Sequence, residues 1–152
     1  MISRSELILL DTNILIHLIR GNSVAQWIDS QFGLRSRAAK PLISVVTIGE
    51  SLALAKKLNW GSSKAGTLES LLREMVVADI NSAPVLKNYA EVDHALQKIG
   101  KPIQQNDMWI AATAMAFEAH LLTTDRDFDY LSPKYVSRTW IDPKPSGNQP
   151  RS

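Results

Sequence analysis

The stretch Leu7-Ile8-Leu9-Leu10-Asp11-Thr12-Asn13 decides the fold class of this chain. Its first four residues are all apolar and lack a helical period, which is typical of a strand that is buried on both faces of a sheet. A helical pattern begins after Asp11 and ends near Gly21, and glycine is favoured directly after a helix. A buried strand that leads directly into a helix predicts an α/β protein.

The same alternation continues toward the C-terminus. Apolar runs predict further strands at 42–46, 76–80 and 120–124, with an optional fifth strand at 135–141. Helical patterns occupy 47–58, 63–75, 83–99 and 107–119, and the predicted helix starts carry side chains that can cap a helix: Ser23, Thr47, Ser82 and Asn106. The sequence therefore predicts a mostly parallel central sheet of four to five strands.

Length and composition suit a single domain. The chain has 152 residues, of which 45% are hydrophobic and 21% charged, close to the usual globular mix. We expect one domain over 1–141 and a disordered tail over 142–152, where prolines stand at 143, 145 and 150.

Several classes of function are excluded by composition. The absence of cysteine removes disulfides, thiolate metal sites and cysteine nucleophiles, and the three histidines are not spaced as zinc ligands. The first apolar run stops at Asp11, too early for a secretory signal, and no run approaches the roughly 20 apolar residues of a membrane span. We expect a soluble, cytoplasmic protein without a membrane partner. Its net charge of +2 permits an anionic partner without requiring one.

Four acidic side chains are predicted to meet at one edge of the sheet. Asp11 ends the first strand, Asp125 ends the fourth, and Glu50 lies one turn into the helix after the second, while Asp107 begins its own helix. Ligands of parallel sheets bind beyond the carboxyl ends of the strands. Clustered carboxylates repel one another unless a cation neutralises them, and Mg²⁺ and Mn²⁺ prefer oxygen ligands. Such a site suits phosphodiester hydrolysis.

Each acid also has a purely structural interpretation. Asp11 could cap the following helix, and Glu50 completes a capping-box pattern with Thr47. Asp107 stands at a helix start, where the helix dipole stabilises a negative charge, and Asp125 lies in a polar turn where aspartate is common. The case for a functional site rests on the convergence of the four acids at one edge.

Four segments carry a family resemblance. Leu10-Asp11-Thr12-Asn13, Thr47-Ile48-Gly49-Glu50, Asn106-Asp107-Met108-Trp109-Ile110-Ala111-Ala112 and Leu122-Thr123-Thr124-Asp125-Arg126-Asp127-Phe128 resemble the successive motifs of PIN-domain nucleases in order and spacing. The resemblance covers about 7–141, and the length of the chain makes it similar to the VapC toxins of toxin–antitoxin pairs. One departure is the segment 117–120, which lacks the glycine often found before the fourth strand.

The resemblance implies a fold, an activity and partners. It implies a three-layer α/β/α PIN-like sandwich and a Mg²⁺- or Mn²⁺-dependent endoribonuclease that acts on RNA, forms a homodimer and is inhibited by a cognate VapB-like antitoxin. The residues that it implies as catalytic and metal-binding are Asp11, Glu50, Asp107 and Asp125, with Asp127 as an additional metal ligand and with Asn13 and Thr124 orienting the ligands.

Two other functions compete with this interpretation. A phosphatase of the haloacid dehalogenase type also places an aspartate after its first strand, but it needs a second aspartate two residues later, where this chain has Asn13. The alternative outside enzymes is a catalytically inactive PIN-like domain that binds RNA or serves as a scaffold. Trp27, Trp109 and Trp140 are interpreted as packing residues, and so is Trp60, for which stacking on RNA is a second possibility.

Overall fold

The computed structural model describes residues 6–144, and its strands and helices alternate as the sequence predicts. The elements in chain order are β1 Ile8–Leu10, α1 Thr12–Arg20, α2 Ser23–Phe32, β2 Leu42–Ser44, α3 Val45–Lys57, α4 Ser62–Arg73, β3 Val76–Ala78, α5 Ala83–Ile99, α6 Gln105–Phe117, β4 His120–Thr123, a 3-10 helix at Arg126–Tyr130, and β5 Arg138–Trp140.

The five strands form one parallel sheet in the order β3-β2-β1-β4-β5. β1 lies at its centre, where Leu10 is paired with Ile43 of β2 and with Leu122 of β4. The optional fifth strand is therefore confirmed, shorter than predicted. Because all strands run in the same direction, their carboxyl ends lie along one edge of the sheet.

Helices cover both faces of the sheet, which confirms the three-layer architecture. Side chains of β1 alternate between the two faces: Ile8 and Leu10 pack with helices α1, α2 and α4, whereas Leu9 packs with α5 and α6. All three are essentially inaccessible to water, and burial of each such side chain contributes roughly 1.5–3 kcal/mol. The strand that leads to Asp11 is thus fixed from above, below and both sides.

Three predicted helix starts were wrong. Ser44 caps α3, since its hydroxyl accepts a hydrogen bond from the Val46 N–H at 3.1 Å, and the helix begins two residues before Thr47. Asn22 caps α2 in place of Ser23, and α6 begins after Gln104, which makes no side-chain cap, in place of Asn106. For α3 the reason is tertiary: β2 pairs with β3 as far as Ser44, so the chain turns there. The caps at Ser82, Gly21 and Gly100 are confirmed.

The position without the expected glycine takes a left-handed backbone conformation. Glu118 ends α6 with φ at 50° and ψ at 42°, a region that costs a residue with a Cβ roughly 1–2 kcal/mol. The backbone thus adopts at Glu118 the turn conformation that glycine would favour.

The predicted tail at 142–152 lies outside the described residues from 145 onward, so the domain boundary at 141 stays a prediction. None of the helices within residues 6–144 combines the length and the apolar character that crossing a lipid bilayer requires.

Candidate active site

The parallel register brings the acidic residues of four segments together. The Asp11 N–H donates to the Leu122 carbonyl at 3.0 Å, so β1 and β4 remain paired up to the acid. Asp125 follows two residues after the end of β4, and α3, which carries Glu50, begins where β2 ends. Asp107 lies in the first turn of α6. The four acids predicted from the sequence therefore meet at the carboxyl edge of the sheet.

Asp11 is a buried carboxylate with two hydrogen bonds. One of its oxygens, Oδ1, accepts from the Thr12 N–H at 2.8 Å, and Oδ2 accepts from the Thr123 hydroxyl at 2.7 Å. Only 3% of the residue is exposed. The pKa of Asp11 is raised to about 6: burial is the largest cause, the two hydrogen bonds lower the pKa in part, and the charges of Asp125 and Glu50 add to the increase. Asp11 thus caps α1 and also faces the other acids.

The pKa of Asp107 is raised by burial and by three neighbouring acids. Burial raises the pKa of Asp107 to about 8, followed in importance by the charges of Asp11, Asp125 and Glu50 and by a hydrogen bond with Asp125. The contribution of these three charges shows that the Asp107 carboxyl lies near other acids, in addition to being partly buried. In the first turn of α6, the helix dipole favours the negative charge, but it does not offset this repulsion.

Glu50 is oriented by a residue that the sequence analysis did not select. The Thr12 hydroxyl donates to Glu50 Oε1 at 2.7 Å and lies 2.9 Å from the Thr47 hydroxyl. Because α3 is capped by Ser44 and Thr47 lies inside the helix, Glu50 does not form the capping box with Thr47 that its structural interpretation required. Thr12 joins the start of α1 to the first turns of α3 and fixes the Glu50 carboxylate beside Asp11.

Asp125 and Asp127 lie in the turn after β4. The Asp125 N–H donates to the Thr123 hydroxyl at 2.9 Å, and Asp125 Oδ1 accepts from the Asp127 N–H at 2.8 Å. One carboxylate oxygen from each of Asp107, Asp125 and Asp127 lies within 4.8 Å of the other two. Partial burial, then the charge of Asp125, raises the pKa of Asp127. The additional acid predicted from the sequence thus belongs to the same cluster.

The orienting hydroxyls are those of Thr12 and Thr123. Asn13 is exposed, and the backbone carbonyl of Thr124 accepts a hydrogen bond from the Trp140 indole N–H at 3.0 Å. The sequence carried a weak signal for the two threonines that orient the acids, because each lies within two residues of a predicted acid. The long-range contacts that distinguish them from Asn13 and Thr124 were not visible in it.

The donor set fits a hard divalent cation. We call the five side chains Asp11, Glu50, Asp107, Asp125 and Asp127 the acidic cluster. The ion pairs found within residues 6–144 all lie outside this cluster, so its charge is uncompensated by the chain. Its ligand atoms are oxygens alone, which suits Mg²⁺ or Mn²⁺ and disfavours zinc.

Comparisons with known proteins identify the family. A family model of the PIN domain matches residues 8–132. The crystal structure of VapBC2 from Rickettsia felis, bound to a DNA fragment from the promoter, is 24% identical, with 90% of this chain and 99% of that chain covered and a TM-score of 0.77. VapBC-1 from nontypeable Haemophilus influenzae is 23% identical, with 88% and 97% covered and a TM-score of 0.72.

A third solved structure is slightly more similar in sequence. FitAcB from Neisseria gonorrhoeae is 26% identical, with 91% of this chain and 98% of that chain covered and a TM-score of 0.69. The comparison with curated proteins gives no match. The family model covers most of the chain, and the solved structures share its parallel sheet and flanking helices. The chain therefore belongs to the PIN domain family.

Proposed function

We propose that this protein is a Mg²⁺- or Mn²⁺-dependent endoribonuclease that hydrolyses phosphodiester bonds of RNA. The observation that carries the proposal is the uncompensated acidic cluster at the carboxyl edge of the sheet, in which the pKa of Asp11 and that of Asp107 are raised to about 6 and about 8. Membership of the PIN domain family supports it, because nuclease activity and divalent metals are general properties of that family.

The roles of the residues follow from their contacts. Asp11, Glu50, Asp107 and Asp125 would hold the metal, and Asp127 would be a further ligand. When bound, a divalent cation supplies activation of water and stabilisation of the leaving oxygen. The chain itself orients the ligands: the Thr123 hydroxyl fixes Asp11, and the Thr12 hydroxyl fixes Glu50. Asn13 and Thr124 remain proposed as additional positioning residues.

Cleavage of a structured RNA by the purified protein tests this function. We expect cleavage in MgCl₂ or MnCl₂, no cleavage in EDTA, and no recovery with Zn²⁺. Robust cleavage in excess EDTA would contradict the proposal. The alternative function, a PIN-like domain that binds RNA or serves as a scaffold without catalysis, predicts that RNA is bound and never cleaved under any of these conditions.

Thr12→Val should weaken metal binding while preserving the fold. Valine keeps the shape of threonine but removes the hydroxyl that donates to Glu50 Oε1 at 2.7 Å. Loss of a partner that orients a metal ligand typically costs about 10- to 100-fold in metal affinity or activity. The measurement is Mg²⁺ affinity by calorimetry together with the cleavage rate.

Two further variants control this prediction. Thr12→Ser keeps the hydroxyl and should retain most of the Mg²⁺ affinity of the wild-type protein. Thr67→Val removes a hydroxyl that donates to the Ser63 carbonyl at 3.1 Å. Both residues lie on α4, which carries none of the acids of the cluster, so Mg²⁺ affinity should be unchanged. Wild-type affinity in Thr12→Val would show that Glu50 does not depend on this contact.

We also propose that the nuclease is the toxin of a toxin–antitoxin pair. Its solved neighbours include a toxin–antitoxin complex from Klebsiella pneumoniae and VapBC-5 of Mycobacterium tuberculosis, a member of a toxin–antitoxin family. A cognate VapB-like antitoxin would inhibit by placing a C-terminal segment, with an arginine, across the acidic cluster, because a guanidinium pairs strongly with carboxylates. A structure of the complex with Asp107 and Asp125 as accessible as in the free chain would contradict this mode of inhibition.

Two further properties are proposals of the same kind. A homodimer is supported by large apolar side chains that remain exposed on helices, among them Leu52 of α3 and Leu86 of α5, at 53% and 49% exposure. A molar mass equal to that of one chain, measured by light scattering at high micromolar concentration, would contradict the homodimer. We propose a cytoplasmic location because the antitoxin and the RNA substrate proposed above would be present there.

A further inference from the structure

Arg126, the residue between Asp125 and Asp127 of the acidic cluster, is held against an aromatic ring. The central carbon of its guanidinium lies 3.5 Å from the centre of the Trp140 ring, well inside the distance at which a cation is attracted to an aromatic face. The indole N–H of Trp140 donates to the Thr124 carbonyl at 3.0 Å. Trp140 of the edge strand β5 thus contacts the turn on both sides of Asp125.

Two arginines share one carboxylate beside this stack. Arg138 donates to Asp129 Oδ1 at 2.5 Å, and the Arg138 side chain is 20% exposed. Arg126 approaches Asp129 Oδ2 at 3.5 Å, and its own side chain is 60% exposed. Arg138 therefore already neutralises Asp129. The three residues together carry one net positive charge, and its accessible part is the Arg126 guanidinium.

A cation at the border of the acidic cluster favours binding of an RNA strand. The metal that the cluster would hold offsets only part of the negative charge, and the remainder repels the phosphates on either side of the cleaved bond. Arg126 is covalently adjacent to two members of the cluster, at a Cα spacing of about 3.8 Å. A planar guanidinium carries five N–H donors and matches the geometry of a phosphate group. Stacking on Trp140 orients this plane before any ligand arrives.

We propose that Arg126 is a substrate-binding residue that contacts a phosphate of the RNA strand next to the acidic cluster. Trp140 is the positioning residue that presents Arg126, and Arg138, as the nearer partner of Asp129, leaves Arg126 with the longer and weaker contact to that carboxylate. The inference rests on the proposed ribonuclease function and adds to it the group that binds the RNA backbone. Its ligand is a phosphodiester, so it contributes affinity without reading the base sequence.

The salt dependence of RNA binding tests this role. The probe is a fluorescein-labelled RNA hairpin with a single-stranded loop, titrated by fluorescence polarisation in Mg²⁺ over a series of KCl concentrations. All variants are made in an Asp11→Asn background, so that the probe is not cleaved. We expect Arg126→Gln to weaken binding about tenfold and to reduce the slope of log Kd against log salt by about 0.7–1, the value for one lost phosphate contact.

Matched variants separate this role from general effects of charge and of folding. Arg73→Gln removes another exposed arginine, which lies 3.8 Å from Glu69 in a weak ion pair. Arg73 is at the end of α4, just before the start of β3, so its loss should leave the slope unchanged. Arg126→Lys keeps the charge and should keep the slope while losing part of the affinity. Trp140→Phe keeps an aromatic face for Arg126 and should retain the slope as well.

The outcomes distinguish this inference from the proposed function. The inference is wrong, and the ribonuclease function stands, if the wild-type protein cleaves RNA but Arg126→Gln keeps the slope of the Asp11→Asn background. The same conclusion holds if Arg126→Lys loses the slope as fully as Arg126→Gln does. If the parent protein neither binds nor cleaves RNA, the proposed function fails and the inference fails with it. In the cleavage-competent protein, the increase in KM on Arg126→Gln should exceed the loss in kcat.

Discussion

Asp11→Asn is expected to abolish RNA cleavage and, in the absence of metal, to stabilise the fold. The substitution removes a full negative charge from the centre of the acidic cluster, so metal affinity falls and the cleavage rate drops at least about 100-fold. The structural role of the residue survives, because the oxygen of the asparagine side chain can still accept the hydrogen bond that the Thr12 N–H now donates to Asp11 at 2.8 Å.

The gain in stability follows from the raised pKa of Asp11. In the unfolded chain the group ionises with its ordinary pKa of 3.8, whereas in the fold burial raises the pKa to about 6. At pH 7 the buried charge therefore costs roughly 2–3 kcal/mol, which asparagine does not incur. About 1 kcal/mol is lost in return, since the amide N–H₂ faces the Thr123 hydroxyl that donates to Asp11 Oδ2. The net gain should raise the thermal midpoint by a few degrees.

Three measurements on the purified variant check this prediction. They are the thermal midpoint in EDTA, Mg²⁺ binding, and RNA cleavage. Asp29→Asn is the matched control, because Asp29 is an exposed aspartate on α2, and it should change none of the three. Cleavage close to that of the parent would remove Asp11 from the active site. Lost cleavage with a strongly lowered thermal midpoint would show a structural residue instead.

The free energy of unfolding of the metal-free protein is expected to fall as pH rises from about 5 to about 8. The unfolded carboxyls release their protons near pH 4, whereas the folded protein retains those on Asp11 and Asp107 until their pKa values of about 6 and about 8. The fold then binds more protons than the unfolded chain, and stability decreases with pH by up to ~1.4 kcal/mol per pH unit for each such group. The contribution of Asp107 is smaller than this limit, because the residue is partly exposed and water screens its charge.

Saturating Mg²⁺ should remove most of this pH dependence. A divalent cation competes with the protons for the same carboxylates, so its stabilising effect grows as the pH rises. Thermal midpoints in EDTA and in Mg²⁺ across pH 5 to 8 check the prediction, and Asp107→Asn should flatten the EDTA curve between pH 6 and 8. A metal-free protein that becomes more stable over this range would mean that the acids of the cluster are not held close to one another.

The order of elements and the four main acids could be predicted from the sequence, because they depend on local patterns. An apolar run such as the one at 7–10 is typical of a buried strand, and a polar residue directly after it is then expected at the edge of the sheet. Gly21, Ser82 and Gly100 mark helix ends through properties of a single residue. The parallel arrangement follows from the alternation of strands and helices, and it places Asp11 and Asp125 at the same edge.

The tertiary structure alone decided which side chains orient those acids and where several helices begin. The hydrogen bond from Thr123 to Asp11 joins residues 112 positions apart, and the bond from Thr12 to Glu50 spans 38 positions. Both depend on β1 lying between β2 and β4, an order that no local pattern specifies. The same holds for the stack of Arg126 on Trp140, which requires β5 to pair beside β4. Contacts between distant segments exist only after the strands are ordered in the sheet. A pattern of neighbouring residues could therefore predict the acids that bind a metal, but not the side chains that orient them.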